Sequence, residues 1–199
     1  MTDSRPQAHG ARHRLLRDLG ALDQALYEAV TVTETPTLDS ALRRLSAAAD
    51  HSKISFVAAA TMALFPGRPR RAAALGLAAV GVASATANLL GKRLVRRRRP
   101  HRAEDSPFPG RHVPMPASAS FPSGHTASAV AFAAAVGPAF PVVAVPFGLL
   151  ACAVGYSRVH TGVHYPGDVI AGAVLGTGAA AVVLAAARHE VHGRHLAGR

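Results

Sequence analysis

The sequence predicts an all-α fold, a polytopic bundle of transmembrane helices, and three uncharged stretches carry that prediction. Residues 72–91 and 169–187 are runs of 20 and 19 residues without a charge, close to the ~20 residues that cross a bilayer as a helix. Residues 126–157 make a third stretch of 32 residues. It is divided by Gly137-Pro138-Ala139-Phe140-Pro141, a turn signal that yields two shorter apolar helices. A soluble all-α protein with buried helices is the competing reading, and it gives no reason for three such stretches in 199 residues.

Composition narrows the class further. Hydrophobic residues make up 49% of the chain but aromatics only 5%, so Ala, Val and Leu supply the apolar content, and disorder is excluded. The single cysteine, Cys152, excludes an internal disulfide framework and any multi-cysteine zinc site. Its apolar neighbours place it as a small core residue. The net charge of +11 suggests an anionic partner: nucleic acid, lipid headgroups or a phosphorylated substrate.

The elements follow in order. Residues 1–17 are polar and basic, with no apolar segment and cleavage site after them, so no cleaved signal peptide is expected. Leu15, Leu16, Leu19, Leu22, Leu26 and Val30 recur at helical spacing opposite a polar face, which predicts an amphipathic surface or membrane-interface helix over 15–30. Thr35-Pro36-Thr37 breaks it. A second helix is expected from Pro36–Asp39, past Arg43 and Arg44, turning apolar from Ile54 to Phe65 and stopping at Pro66-Gly67-Arg68-Pro69. Five apolar segments result: 54–65, 72–91, 126–138, 142–156 and 169–187. Gly172 and Gly176 form a small-xxx-small pair that permits close helix packing in the last of them. The chain thus divides into a basic N-terminal region (1–52), a membrane-embedded core (53–187) and a polar C-terminal tail (188–199).

Two spans separate the polar loops 92–125 and 157–168, so both lie on one side of the bundle. The first opens with Lys92-Arg93-Leu94-Val95-Arg96-Arg97-Arg98-Arg99-Pro100. By itself this is a basic anchor at a span end; as a nucleic-acid patch it lacks interleaved aromatics. The same loop closes with Phe121-Pro122-Ser123-Gly124-His125 directly before an apolar helix. That is a helix cap or, equally, a set of free N–H groups suited to an anion. The second loop places Arg158, His160, His164 and Asp168 between two apolar helices, where ionisable groups are costly unless used. On the first turn of the last helix, the i,i+4 spacing of His164 and Asp168 would let the carboxylate hold one imidazole nitrogen and orient the other.

Together, Lys92 with Arg99-Pro100, then Pro122-Ser123-Gly124-His125, then Ser157-Arg158 with His164 and Asp168 closely resemble the three-part signature of the type 2 phosphatidic acid phosphatases, or lipid phosphate phosphatases. The motifs span about 92–168. The resemblance implies a membrane phosphatase acting on a lipid phosphate monoester or diphosphate: a polyprenyl phosphate, a prenyl-linked sugar phosphate or phosphatidic acid. It implies that Lys92, Arg99, Ser123, Gly124 and Arg158 bind the phosphoryl oxygens. His164 would be the nucleophile, forming a phosphohistidine, with Asp168 fixing its tautomer and His125 as the acid and then the base. Three cations supply the charge, so no metal or other cofactor is expected; Glu104 and Asp105 stand as an isolated acidic pair. The signature has no place for His101, His112 or His160, and Arg96, Arg97 and Arg98 are expected to attract headgroups without acting in catalysis. Many membrane members of the family have six spans. The candidates for a sixth here are the 15–30 helix and the segment before Ile54.

The expected partners are a lipid phosphate and the bilayer, not nucleic acid. The expected setting is a bacterial plasma membrane. Sixteen of the 22 Lys and Arg lie on the catalytic face, which by the positive-inside rule would be cytoplasmic. Two rivals remain. A vanadate-dependent haloperoxidase shares the anion site but is usually soluble and larger, and a catalytically inactive membrane scaffold or lipid-binding protein would not need the intact signature.

Overall fold

The structure, a computed structural model, describes residues 5–102 and 108–197. Glu104 and Asp105 lie outside the described residues. The described residues are helical or irregular, with no strand among them. α1 (Arg5–Val32) and α2 (Pro36–Ala48) precede the bundle. α3 (Lys53–Ala63), α4 (Arg68–Ala85), α6 (Gly124–Val136), α7 (Pro141–His160) and α8 (Pro166–Ala197) form it. A π-helical segment, Thr86–Gly91, and a last turn, α5 (Lys92–Leu94), prolong α4.

All five apolar segments are helices, yet only three are long and apolar enough to cross a membrane: Arg68–Leu94, Pro141–His160 and Pro166–Glu190. α3 and α6, at 11 and 13 residues, are shorter. Both turn signals hold: Gly67 at φ +80° separates α3 from α4, and residues 137–140 separate α6 from α7. The Arg68 guanidinium donates to the Ala139 carbonyl at 2.9 Å, so these two turns adjoin, at the end of the bundle away from the long loops.

Small residues dominate the contact of α4, α6 and α8, and many large ones face outward. Ala79, Ala83, Ala127, Ala131, Ala135 and Ala180 are buried where α4, α6 and α8 meet. Val142, Val145, Leu149, Ile170 and Val174 are exposed on the outer faces of α7 and α8. This is the membrane pattern, in which lipid takes the large side chains and close backbone approach holds the helices. The Gly172/Gly176 pair is used in that way. A Cβ on Gly172 would lie 2.5 Å from the Ser123 carbonyl oxygen, and one on Gly176 would collide with the Ala127 carbonyl oxygen. Cys152 departs from expectation: it is exposed on α7, because in a membrane protein an apolar neighbourhood does not imply an interior position.

The second helix also departs. It is broken at Asp50–Ser52, where His51 (φ 55°, ψ 29°) and Ser52 (φ 57°, ψ 24°) are both left-handed. For residues with a Cβ that conformation costs roughly 1–2 kcal/mol each. The turn separates α2, which packs on α7, from α3, which packs on α4.

Candidate active site

Each end of the second long loop is built by a local device. α7 ends at Thr161, and Gly162 at φ +70° turns the chain back. The backbone N–H groups of Val163 and His164 both donate to the Arg158 carbonyl, at 3.1 and 3.2 Å. Arg102 closes this helix end, donating to the carbonyls of Thr161 and Gly162 at 2.7 and 3.2 Å, a cation at a C-terminus where carbonyls are unpaired. Pro166 then opens α8. His164 therefore lies before the helix, not on its first turn. Asp168 reaches it as a capping residue: the carboxylate Oδ2 accepts the Tyr165 N–H at 2.9 Å and faces His164 Nδ1 at 3.4 Å.

The protons of this pair follow from its partners. Arg99 can only donate, and its Nη1 is 3.2 Å from His164 Nε2, so that nitrogen accepts. The ring proton is then on Nδ1, facing Asp168. Burial holds the His164 imidazole well below its usual range, at about 4; the Asp168 hydrogen bond opposes the shift and the charge of Arg99 adds to it. His164 is thus a neutral ring with its Nε2 lone pair toward Arg99 (2% exposed).

Asp168 is completely buried and has a further partner. Arg97 donates to its Oδ1 at 3.0 Å and to Asp23 of α1 at 2.6 Å, with the guanidinium 4.0 Å from the centre of the Tyr165 ring. Burial alone would depress Arg97, but the Asp23 and Asp168 bonds and charges leave its pKa raised. Asp23 also accepts the Gly167 N–H at 2.6 Å. The expectation that Arg97 serves only headgroup attraction is corrected: it is a strut behind Asp168, while Arg96 and Arg98 are exposed. A basic run hides this because only one of its side chains turns inward.

A cavity of about 220 Å³ brings Lys92, Arg99, Gly124, His125 and His164 together, with His51, Ser52, Ser84 and Asn88 also in its wall. The π-helical segment carries Asn88, whose Oδ1 accepts from Lys92 Nζ at 2.7 Å. Gly91 in the same segment lets Pro122 approach; a Cβ there would lie 2.5 Å from Pro122 Cδ. Arg99 is held against the Ser118 and Val163 carbonyls at 2.8 Å.

Two predicted binders are not among the residues lining the cavity. Ser123 is fully buried as the N-cap of α6, accepting from the Thr126 hydroxyl at 3.0 Å, while its N–H donates to the Asp168 carbonyl. Arg158 (1% exposed) donates to the Ser46 hydroxyl at 2.6 Å and lies 3.7 Å from Asp50; its Nε is buried without a partner. His125 Nε2 is 2.7 Å from Asp50 Oδ1.

Asp23, Asp50 and Ser46 escaped sequence reasoning because they lie far along the chain from the motifs. His160 is not in the cavity wall: it is buried 3.1 Å from Asp39, which also pairs with Arg111 at 3.0 Å. His101 is exposed. Among the described residues, no group of three or more His, Cys, Asp or Glu is placed to hold a metal ion.

The PAP2 superfamily profile matches residues 72–191, more than half of the chain. The chain belongs to the PAP2 superfamily. It is 36% identical over 156 residues to the decaprenylphosphoryl-5-phosphoribose phosphatase of Mycobacterium tuberculosis, covering 76% of this chain and 82% of that protein. It is 46% identical over 98 residues to the lipid A 1-phosphatase of Rhizobium etli, covering 45% of this chain and 39% of that one. Two solved structures share the fold at 23% identity. Aquifex aeolicus LpxE has a TM-score of 0.69, covering 82% of this chain and 94% of that one. The PAP2-type phosphatidylglycerolphosphate phosphatase of Bacillus subtilis has a TM-score of 0.68, covering 86% and 87%. This PAP2 protein is an integral membrane enzyme, a metal-independent lipid phosphatase.

Proposed function

We propose that this chain removes a phosphate monoester from the headgroup of a polyprenyl-linked lipid, through a phosphohistidine on His164. The observation that carries the mechanism is the contrast between the two cavity histidines. His164 offers an Nε2 lone pair. His125 faces a carboxylate, which can only accept, so its Nε2 carries a proton. A ring with a free Nε2 beside a ring whose Nε2–H is tied to a carboxylate gives a nucleophile and, once the second ring takes a proton at Nδ1, an acid.

Lys92 and Arg99 draw the phosphate into the cavity, and the Gly124 N–H at the start of α6 adds a donor. Arg158, with its spare Nε, supplies charge from below. His164 Nε2 attacks phosphorus in line; Asp168 stabilises the cation that forms. His125 protonates the leaving oxygen, then takes a proton from the water that releases phosphate. The polyprenyl assignment rests on the similarity to the mycobacterial phosphatase, which runs through most of both chains. An apolar crevice lined by Ile54, Ala58, Phe132, Phe147 and Leu150 opens beside His125 and suits a lipid chain.

The test is phosphate release by protein in detergent with EDTA present, from a polyprenyl-linked sugar phosphate, a polyprenyl diphosphate and phosphatidic acid, with His164→Ala alongside. Preference for the first supports the assignment, and preference for phosphatidic acid overturns it. We further propose that the catalytic face is cytoplasmic, in a bacterial plasma membrane; the basic bias of that face supports this reading. Labelling of an Arg96→Cys variant by an impermeant maleimide in intact cells would place it outside.

A further inference from the structure

Lys92 and Arg99 line the cavity that His125 faces, and Arg158 lies beside it. An imidazolium among three cations is disfavoured unless a carboxylate answers it. Asp168 does not serve His125; its oxygens are taken by His164, Tyr165 N–H and Arg97. The carboxylate at His125 is Asp50, at 2.7 Å, from the turn between α2 and α3. The titratable and charged groups around His125 are therefore Asp50 and His51 from that turn, Arg158 from α7, His164 from the α7–α8 loop, Lys92 from α5 and Arg99 from the chain after it.

The turn is shaped for this contact. Two consecutive side-chain-bearing residues, His51 and Ser52, adopt left-handed backbone immediately after Asp50, and both line the cavity. Strain of that kind persists where the surroundings enforce it, and it gathers at functional sites. Asp50 also lies 3.7 Å from Arg158, so one carboxylate sets both the histidine and the buried arginine.

We propose that Asp50 is a positioning residue for the proton transfer: it holds His125 by its Nε2 proton and favours the charged ring against the burial and the Arg158 charge that oppose it, so that Nδ1 can take up and deliver the proton. This rests on the reading of His125 as the acid. As the P–O bond breaks, its electron pair passes to the leaving oxygen, which takes the Nδ1 proton. His125 is left neutral, its Nε2 proton still on Asp50. The water that attacks the phosphohistidine then returns a proton to Nδ1. The region before the bundle thus contributes to the reaction as well as to anchoring.

The test uses the leaving group. An alkyl phosphate needs its leaving oxygen protonated; p-nitrophenyl phosphate does not. In full-length protein in detergent, kcat/KM reports the steps through departure of the leaving group. Asp50→Asn should lower it about 10–100-fold for the alkyl ester and no more than about threefold for the nitrophenyl ester. The ratio of the two does not depend on how much of the variant is folded. His125→Gln should show the same signature, and the double variant should lose no more than His125→Gln alone. Equal losses on both esters, no loss on either, or additive losses in the double variant would overturn the role. Should Asp50→Asn fail to fold, Asp50→Glu keeps the charge but displaces it, and its ratio should fall between; a wild-type ratio there overturns the role as well. His164→Ala separates the underlying reading: full turnover in that variant sinks the nucleophile assignment, whatever the Asp50 ratio shows.

Discussion

The two histidine–carboxylate pairs of the cavity are built in opposite ways. His164 and Asp168 are four residues apart, both buried, and braced by Arg97 and Asp23. His125 and Asp50 are 75 residues apart, on different helical elements, and Asp50 is 43% exposed. The first pair leaves the Nε2 lone pair free; the second ties the Nε2 proton to its carboxylate and leaves Nδ1 for proton transfer. A nucleophile needs a fixed, desolvated nitrogen. An acid–base group must exchange protons with a leaving oxygen and with water, so its carboxylate can stand nearer solvent.

Breaking the first pair should cost most. His164→Ala should lower turnover on the order of 10⁴-fold or more for every ester, since no other group replaces an attacking nitrogen. A phosphate-release assay on protein with a normal melting profile checks this. Asp168→Asn comes next. The amide keeps the shape but loses the preference for the Nδ1 tautomer, with an expected loss of about 10³–10⁴-fold in kcat and little change in KM. A loss confined to KM would contradict that role.

The pH profile sharpens the contrast. With the His164 pKa near 4, protonation removes the lone pair only below that value. The acid limb of kcat/KM should fall about tenfold per unit below pH 4, and a limb near the ordinary histidine value of about 6.5 would show that burial does not control it. Arg97→Ala tests the brace. It leaves Asp168 and Asp23 without their shared cation, and the expected loss is about tenfold in activity, with about 3 kcal/mol in stability for a broken, largely buried pair. Reduced kcat for both esters alike distinguishes this brace from the Asp50 contact.

The smallest effect belongs to the turn behind the second pair. Ser52→Gly removes a left-handed cost of roughly 1–2 kcal/mol and adds a chain-entropy cost of roughly 0.5–1 kcal/mol. A net gain of between zero and about 1.5 kcal/mol is expected by thermal unfolding in detergent. A loss would mean that the serine side chain contributes more than the turn costs.

The first pair was legible in the sequence because its parts are local. The spacing of His164 and Asp168 survives any packing, although the contact runs through a cap and not along a helix face. The uncharged stretches likewise held four apolar helices and the segment 54–65 a fifth, with α3 and α6 shorter than a perpendicular span because turns end them early. Cys152 was misplaced because hydropathy does not separate a lipid-facing residue from a core residue. Arg97 was misread because four arginines in a row share one composition and only geometry tells the strut from its neighbours.

By itself the sequence determined the membrane class, the helix order, the shared side of the two polar loops and the motif residues. Each depends on a run of neighbours or on a short spacing, and such information is local. Only the tertiary structure decided which carboxylate serves His125, that α1 braces the nucleophile through Asp23, and that α2 breaks at a left-handed turn to bring Asp50 to that histidine. Those contacts join residues 70 or more positions apart, and helix packing alone brings them within hydrogen-bond distance.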